Sequence, residues 1–182
     1  LLQLESPLKF GAKKVVNQLK GKVIRCIMLT GDRNETAAQI GMNCGITNYL
    51  DAFLSGREIE RMALDEVARQ SDYCSVFSRF SPSQKGIIAR ILQERHHSIA
   101  MIGDGPNDGI ALKVADIGIS FEENSSQIAM RFADVLIQKL SDIPILLKTA
   151  ARLKRETKIA DIFRMIGITA ILLSQYGWAF AR

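Results

Sequence analysis

Ala100-Met101-Ile102-Gly103-Asp104-Gly105-Pro106-Asn107-Asp108-Gly109-Ile110-Ala111-Leu112 is an apolar run that ends abruptly in glycines, two carboxylates and an amide. Ser98 to Ile102 is short, apolar and β-rich, as a buried parallel strand requires. Gly103 and Gly105 allow the positive φ or close backbone approach of a tight turn at its end. Asp104 and Asp108 are thereby expected beside the carboxyl end of a strand, the edge at which open α/β sheets bind ligands. Carboxylates held there suit Mg²⁺, a hard cation that takes oxygen ligands and shares them with phosphate. Two plainer readings compete: a Gly-Asp-Gly turn with a solvated aspartate, and the opening of a dinucleotide fingerprint at Gly103-x-Gly105. In the second, Asp108 stands where the third glycine belongs, and a carboxylate there repels pyrophosphate unless a metal intervenes.

The surrounding chain has room for such a sheet. Its 182 residues, 47% hydrophobic and 24% charged, are enough for one good-sized core and exclude general disorder. Cys26, Cys44 and Cys74 are odd in number and widely spaced without a CxxC pair, which points to neither a disulfide framework nor a zinc site. Net charge is +5, and Lys148 to Arg164 carries +4 of it, with six bases against two acids. The first ten residues have neither the basic start nor the sustained apolar core of a signal peptide, and the missing initiator Met is expected of a chain that begins inside a larger protein.

Outward from the central loop, strands and helices alternate. Leu1 to Leu4 is apolar and Glu5-Ser6-Pro7 reads as a strand end followed by a helix, Pro7 at its first position, running to about Leu19 and closed by Gly21. Val23 to Leu29 predicts a second buried strand ending in Thr30-Gly31-Asp32, and Asp32-Arg33-Asn34-Glu35 a capping box that places Thr30 and the Gly31 amide at a helix N-terminus suited to an anion. Residues 45–53 are expected to hold a short strand, Ser55-Gly56-Arg57-Glu58 a second box opening a helix to about Gln70, and Ser75 to Phe77 a further strand. In Ser81-Pro82-Ser83-Gln84-Lys85 the serine caps, the proline takes the first helical position and Gln84 closes the box. Lys85 then lies in the first turn, against the helix dipole, where a cation needs a partner. His96 and His97 are adjacent, point to different sides and are read as structural.

Beyond the central loop, helices over Leu112 to Ala115 and Ser125 to Ala133 alternate with strands over Ile117 to Ser120 and Val135 to Ile137. This is the βαβ rhythm of a parallel sheet. From Ile143 one long helix is expected, passing through the basic stretch into the almost wholly apolar Met165 to Phe180. That tail is shorter than the roughly 20 residues of a full span, so it reads as the start of a membrane helix or as a buried C-terminal helix. Tyr176, Trp178 and the preceding bases favour the membrane.

Thr30-Gly31-Asp32, then Val76-Phe77-Ser78-Arg79 leading to Ser81-Pro82-Ser83-Gln84-Lys85, then Gly103-Asp104-Gly105-Pro106-Asn107-Asp108, in that order, resemble the phosphorylation domain of P-type ATPases, within the haloacid-dehalogenase-like superfamily. The resemblance continues through Met28-Leu29-Thr30-Gly31-Asp32 and Ala111 to Ser120, while Ser6-Pro7-Leu8-Lys9 stands where the family usually has Asp-Pro-Leu-Arg. It implies an α/β fold, a Rossmannoid parallel sheet flanked by helices. Residues 1–147 would be the C-terminal half of that domain, and residues 148–182 a basic stalk helix and the start of a transmembrane helix. It also implies Mg²⁺ and ATP as cofactors, with Thr30 donating to phosphoryl oxygens, Lys85 neutralising them and Asn107 contacting them. Asp104 would bind Mg²⁺, Asp108 would orient Lys85 or the metal's waters, and Gly31, Asp32 and Arg79 would help hold ATP. Thr30, Lys85, Asp104 and Asp108 are then expected to meet at one sheet edge, as phosphoryl transfer requires.

One departure shapes the functional reading. The family's nucleophile opens an Asp-Lys-Thr-Gly-Thr loop, and this sequence contains none, so the chain by itself is expected to form no aspartyl-phosphate. The reading is therefore part of an ion-pumping P-type ATPase, its partners the portion carrying that loop and the nucleotide-binding domain, together with membrane lipid. No nucleic-acid partner is expected. The parent would be a multi-pass membrane protein with residues 1–160 on the cytoplasmic side. The alternative is a stand-alone, non-catalytic module that binds Mg²⁺ and phosphate; a phosphatase fits less well, for want of the same aspartate.

Overall fold

The computed structural model describes residues 11–48, 53–95 and 98–149. Packing divides the chain into two units, residues 1–142 and 143–182. Every element named below lies in the first; in the second, residues 143–149 are helical. His96, His97, the strand end and helix start expected over residues 1–7 and the apolar stretch Met165 to Phe180 lie outside the described residues. Among those described, no helix is long and apolar enough to cross a membrane.

The element order is α1 (Ala12–Lys20), β1 (Met28–Leu29), α2 (Asn34–Asn43), β2 (Phe53–Ser55), α3 (Gly56–Ile59), α4 (Leu64–Ser71), β3 (Val76–Ser78), α5 (Pro82–Glu94), β4 (Ala100–Ile102), α6 (Gly109–Val114), β5 (Ile117–Phe121), α7 (Gln127–Phe132) and β6 (Val135–Ile137), with a 3₁₀ turn over Pro106–Asp108. Among the described residues all pairings are parallel, and the strands form two three-stranded sheets, in the orders β1-β3-β2 and β4-β5-β6. Register sets Leu29 opposite Phe77 and Leu54 opposite Phe77 in the first sheet, and Ile102 opposite Ile119 in the second. The central strand β3 is buried at all three positions, as a strand covered on both faces must be.

The main core gathers on β3 and α5. Leu54, Val67, Cys74, Phe77, Phe80, Ile88, Ile91 and Leu92 form one cluster, with Phe77 and Phe80 packed edge to face at 5.5 Å between ring centroids. That geometry suits the ring quadrupoles and anchors the turn between β3 and α5. The three cysteines are free, Cys44 and Cys74 buried.

Two of the three capping boxes expected from local sequence form. Ser81 and Gln84 bond reciprocally at the start of α5, with Pro82 in its first turn. At α3 the Ser55 N–H and hydroxyl donate to Glu58 Oε2 at 2.7 and 2.6 Å. The third box does not form. Asp32 Oδ2 accepts from the Thr30 hydroxyl at 2.8 Å and the Asp32 N–H donates back to Thr30 Oγ1 at 3.1 Å, so the carboxylate is engaged in the turn and α2 starts after Arg33 without a side-chain cap.

Three extents also differ from expectation. The strand expected over Val23 to Leu29 contracts to Met28–Leu29, because the chain leaving α1 stays coiled: Lys22, Val23 and Ile24 donate to Leu19 O, Lys20 O and Leu19 O, and Val23 is left-handed at φ 60. The strand expected within residues 45–53 appears as Phe53–Ser55, and the helix expected from Ser55 to Gln70 is two helices. The second of these begins at the extended Ala63, with Asp65 and Glu66 in its first turn, where acids favour a helix N-terminus.

Glu58 carries a pH signature. The Ser55 hydroxyl and then the Ser55 N–H hold its carboxyl below the ordinary glutamate range. A depressed native value contributes stability above the unfolded value and loses it as pH falls through the native one. Unfolding midpoints should therefore drop on acidification below about pH 4.3, and Glu58→Gln should make the curve shallower there while changing little of its slope above pH 6. Urea titrations at several pH values check this, and parallel curves for the two proteins would refute it.

Candidate active site

The site is built at the carboxyl ends of β1 and β4. Thr30 follows β1, its N–H donating to Phe77 O and its carbonyl accepting from the Phe80 N–H, each at 2.9 Å. This pins the Thr30-Gly31-Asp32 turn to the segment leaving β3, and the Arg79 N–H adds a bond to Asp32 O at 2.8 Å. Arg79 is itself left-handed, φ 54, with an exposed side chain. Strained residues of this kind persist where surrounding bonds over-determine them. Gly31 and Asp32 are exposed beside it, so Thr30, Gly31, Asp32 and Arg79 form one turn-on-turn assembly.

From the other sheet, β4 delivers Gly103-Asp104-Gly105 into the 3₁₀ turn. Neither glycine takes a positive φ; close approach is what requires Gly103, since a Cβ there would sit 2.5 Å from Asp108 Cβ. The loop is braced from within. Ser120, fully buried on β5, donates to Gly103 O at 2.8 Å, its oxygen pairs with the Ser125 hydroxyl at 3.0 Å, and the Ser126 N–H donates to Asp104 O at 2.8 Å. Asp108 Oδ2 accepts from the Gly105 N–H at 3.1 Å.

Lys85 crosses from α5 to meet this loop. Its Nζ donates to Asp108 Oδ1 at 2.7 Å, with the two side chains only 11% and 13% exposed. Lys85, Asp104 and Asp108 line one cavity of about 240 Å³ together with Leu29, Met101, Ile102, Gly103, Phe121 and Leu140. A cation held by one carboxylate, with a second carboxylate on the same wall, can bind an anion and position a metal against it. The residue before Thr30 reaches the cavity, whereas Asn107 is exposed in the 3₁₀ turn and is not on its wall. Among the described residues no three His, Cys, Asp or Glu side chains converge in a metal-binding cluster. Asp104 and Asp108 are the carboxylates on the cavity wall, oxygen donors of the kind a hard cation shares with phosphate.

Sequence reading missed the apolar wall and the serine brace. Ser120 had a signal, a lone hydroxyl inside the apolar run Ile117–Phe121; the cavity-facing Leu29, Met101 and Ile102 look like ordinary strand residues. Gln84 was read only as a cap, yet its Nε2 also donates to Gly56 O and Glu60 Oε1, each at 3.1 Å, tying α5 to α3.

With strand, loop, lysine and paired carboxylates on this edge, the family comparison is decisive: the profile of haloacid dehalogenase-like hydrolases matches residues 1–116. The chain belongs to that family. Among its relatives, calcium-transporting ATPase type 2C member 2 of Rattus norvegicus is 37% identical over 137 residues, covering 75% of this chain and 14% of the relative. Calcium-transporting ATPase 1 of Bacillus cereus is 30% identical over 186 residues, covering 98% of this chain and 21% of the relative. The haloacid dehalogenase-like chain is thus homologous to the catalytic-domain region of P-type ATPases and spans about a seventh to a fifth of these relatives. A solved catalytic domain of the CPx-ATPase CopB-B shares the fold at a TM-score of 0.54 and 24% identity, over 76% of this chain and 43% of that one.

The ion pair should be measurable. Asp108→Asn leaves the Lys85 ammonium largely buried without its anion, which costs about 3 kcal/mol in such settings, whereas a Lys85→Met, Asp108→Leu double variant should recover most of that loss. Urea unfolding of the three proteins reads it; an Asp108→Asn cost within about 0.5 kcal/mol of zero would show the pair to be energetically idle.

Proposed function

We propose that this chain is the Mg²⁺- and phosphoryl-binding half of a P-type ATPase phosphorylation domain, working with a carboxylate nucleophile carried on a segment this sequence does not contain. The observation that carries the reading is the Lys85–Asp108 pair on one cavity wall with Asp104, at the carboxyl ends of parallel strands. Bound Mg²⁺ would offset charge on a transferring phosphoryl group. Asp104 is the residue that holds it, and Lys85 takes the equatorial oxygens, kept on the cavity side by Asp108. The Thr30 hydroxyl, engaged by Asp32 in the chain described here, is the donor that would turn to phosphate. Asn107, exposed above the loop, contacts the same group, and Gly31, Asp32 and Arg79 face ATP from the other turn. Positioning and electrostatics of this kind supply most of the catalysis in phosphoryl transfer.

The parent reaction would be ATP-driven ion transport, and the names of the relatives make Ca²⁺ the first ion to test. The basic stretch from Lys148 and the apolar Met165 to Phe180 would form the stalk and the opening of a membrane helix, with residues 1–160 on the cytoplasmic side. Burying an apolar CH₂ is worth about 0.8 kcal/mol, so a stretch this apolar would need a cover from water.

Two experiments follow. The isolated chain, incubated with γ-phosphate-labelled ATP and Mg²⁺, should form no acylphosphate. A mixture with a polypeptide carrying the Asp-Lys-Thr-Gly-Thr loop and a nucleotide-binding domain should form one, and Asp104→Asn should abolish it. Label on the isolated chain, or none in the mixture, overturns the reading; Mg²⁺-dependent phosphate binding without transfer in the mixture would instead favour a non-catalytic binding module. For the C-terminal segment, the full chain should sediment with liposomes while a chain ending at Glu156 stays in solution, and equal partition of both defeats the membrane assignment.

A further inference from the structure

In a parallel ladder, every second residue of a strand bonds its neighbour twice, donating to the residue before its partner and accepting from the residue after it. β4 and β5 keep this rule as far as Gly103: the Ile117 N–H donates to Ile99 O and the Gly103 N–H to Ile119 O, each at 3.1 Å. The next rung would join the Phe121 N–H to Gly103 O. Two hydroxyls stand in its place. Gly103 O accepts from the Ser120 hydroxyl at 2.8 Å, Ser120 pairs with Ser125 at 3.0 Å, and Ser125 Oγ accepts from the Phe121 N–H at 3.1 Å. A carbonyl cannot donate, and a serine has a single hydroxyl proton. Ser120 therefore gives its proton to Gly103 O, and Ser125 gives its own to Ser120. The bonds run one way, from the Phe121 N–H through both hydroxyls to the Gly103 carbonyl, and bonds chained in this sense polarise one another.

Ser120 is fully buried on β5, where a hydroxyl is unfavourable unless it is satisfied. Its bond bears on Asp104. The two peptide groups that flank Asp104 are both held: Gly103 O by Ser120, Asp104 O by the Ser126 N–H at 2.8 Å, and the Gly105 N–H by Asp108 Oδ2 at 3.1 Å. Peptide groups are planar, so fixing both planes sets φ and ψ of Asp104 and the direction in which its Cβ leaves the chain. Asp104 lies on the cavity wall with Lys85 and Asp108.

We propose that Ser120 is a positioning residue for Asp104, with Ser125 acting in series behind it. The pair replaces one rung of the ladder, lets the chain leave the sheet after Gly103 with its polar groups satisfied, and aims the Asp104 carboxylate before a cation arrives. The identity of that cation rests on the Mg²⁺ reading given above; the hold on the loop does not.

The ¹⁵N-labelled full chain tests this as the unaltered protein and as Ser120→Ala, Ser125→Ala and Ser71→Ala. Ser71 is the control, since it is equally buried and its hydroxyl donates to Ala68 O at 2.8 Å within α4. Backbone relaxation without metal should give order parameters of about 0.85 at Asp104 and Gly105 in the unaltered and Ser71→Ala chains, and below about 0.6 in Ser120→Ala. Ser125→Ala should fall between. Titration with MgCl₂ in inorganic phosphate, followed at the same amides, should show affinity lower by about tenfold or more in Ser120→Ala, lowered less in Ser125→Ala and unchanged in Ser71→Ala. Adding Ser125→Ala to Ser120→Ala should lower it no further, because both act through one carbonyl. Unchanged order parameters in Ser120→Ala, loosening without loss of affinity, or the same losses in Ser71→Ala overturn the proposal. If Ser120→Ala does not fold, Ser125→Ala decides by the same two readouts. An unaltered chain that binds no Mg²⁺ defeats the Mg²⁺ reading instead, and the order parameters then decide whether Ser120 holds Asp104.

Discussion

The bond between Lys85 and Asp108 spans a boundary that backbone ladders do not cross. Among the described residues the two sheets share no strand pairing, and α5 packs against α6 across the boundary, with this ion pair at the carboxyl edge and a bond from Gln93 Nε2 to Val114 O farther along α5. A lysine in the first turns of a helix is disfavoured by the helix dipole and by burial, and it persists here because a carboxylate from the other sheet compensates both. The capping box at Ser81 and Gln84 fixes where α5 begins, and thereby where the ammonium stands.

The carboxylate side is set with equal care. Gly103 lets Asp108 fold back against the strand end, the Gly105 N–H holds one carboxylate oxygen, and Ser120 ties the Gly103 carbonyl from inside the sheet. Rigid loops of this kind preorganise charge before a ligand arrives, which is how electrostatic catalysis avoids reorganising its own groups during reaction.

Legibility in the sequence followed the range of the interaction. The boxes at Ser55 and Ser81 were readable because cap and closing residue lie three positions apart and satisfy each other. The box at Asp32 failed for an equally local reason that composition does not reveal: the Thr30 hydroxyl offered the carboxylate a nearer partner. The run from Val23 to Leu29 has the apolar character of a strand, yet its first residues continue the turn closing α1, and hydrophobic pattern is blind to where a preceding helix releases the backbone. Lys85, Asp104 and Asp108 were picked out by residue type and motif order, while Leu29, Met101 and Ile102 were invisible as site residues because nothing about an apolar strand residue says which side lacks a neighbour.

By itself, then, the sequence determined the alternation of strands and helices, the parallel character of the pairing, two helix starts and the charged loop after Ala100–Ile102, all of which arise from contacts a few residues apart or from the period of apolar positions. Only the tertiary structure decided that Lys85 and Asp108, 23 residues apart, form a bond. It alone also decided that the described strands divide into two ladders, with residues of β1 and β4 lining one cavity. Strand order depends on which backbone groups find partners across long loops, and no local pattern encodes that choice.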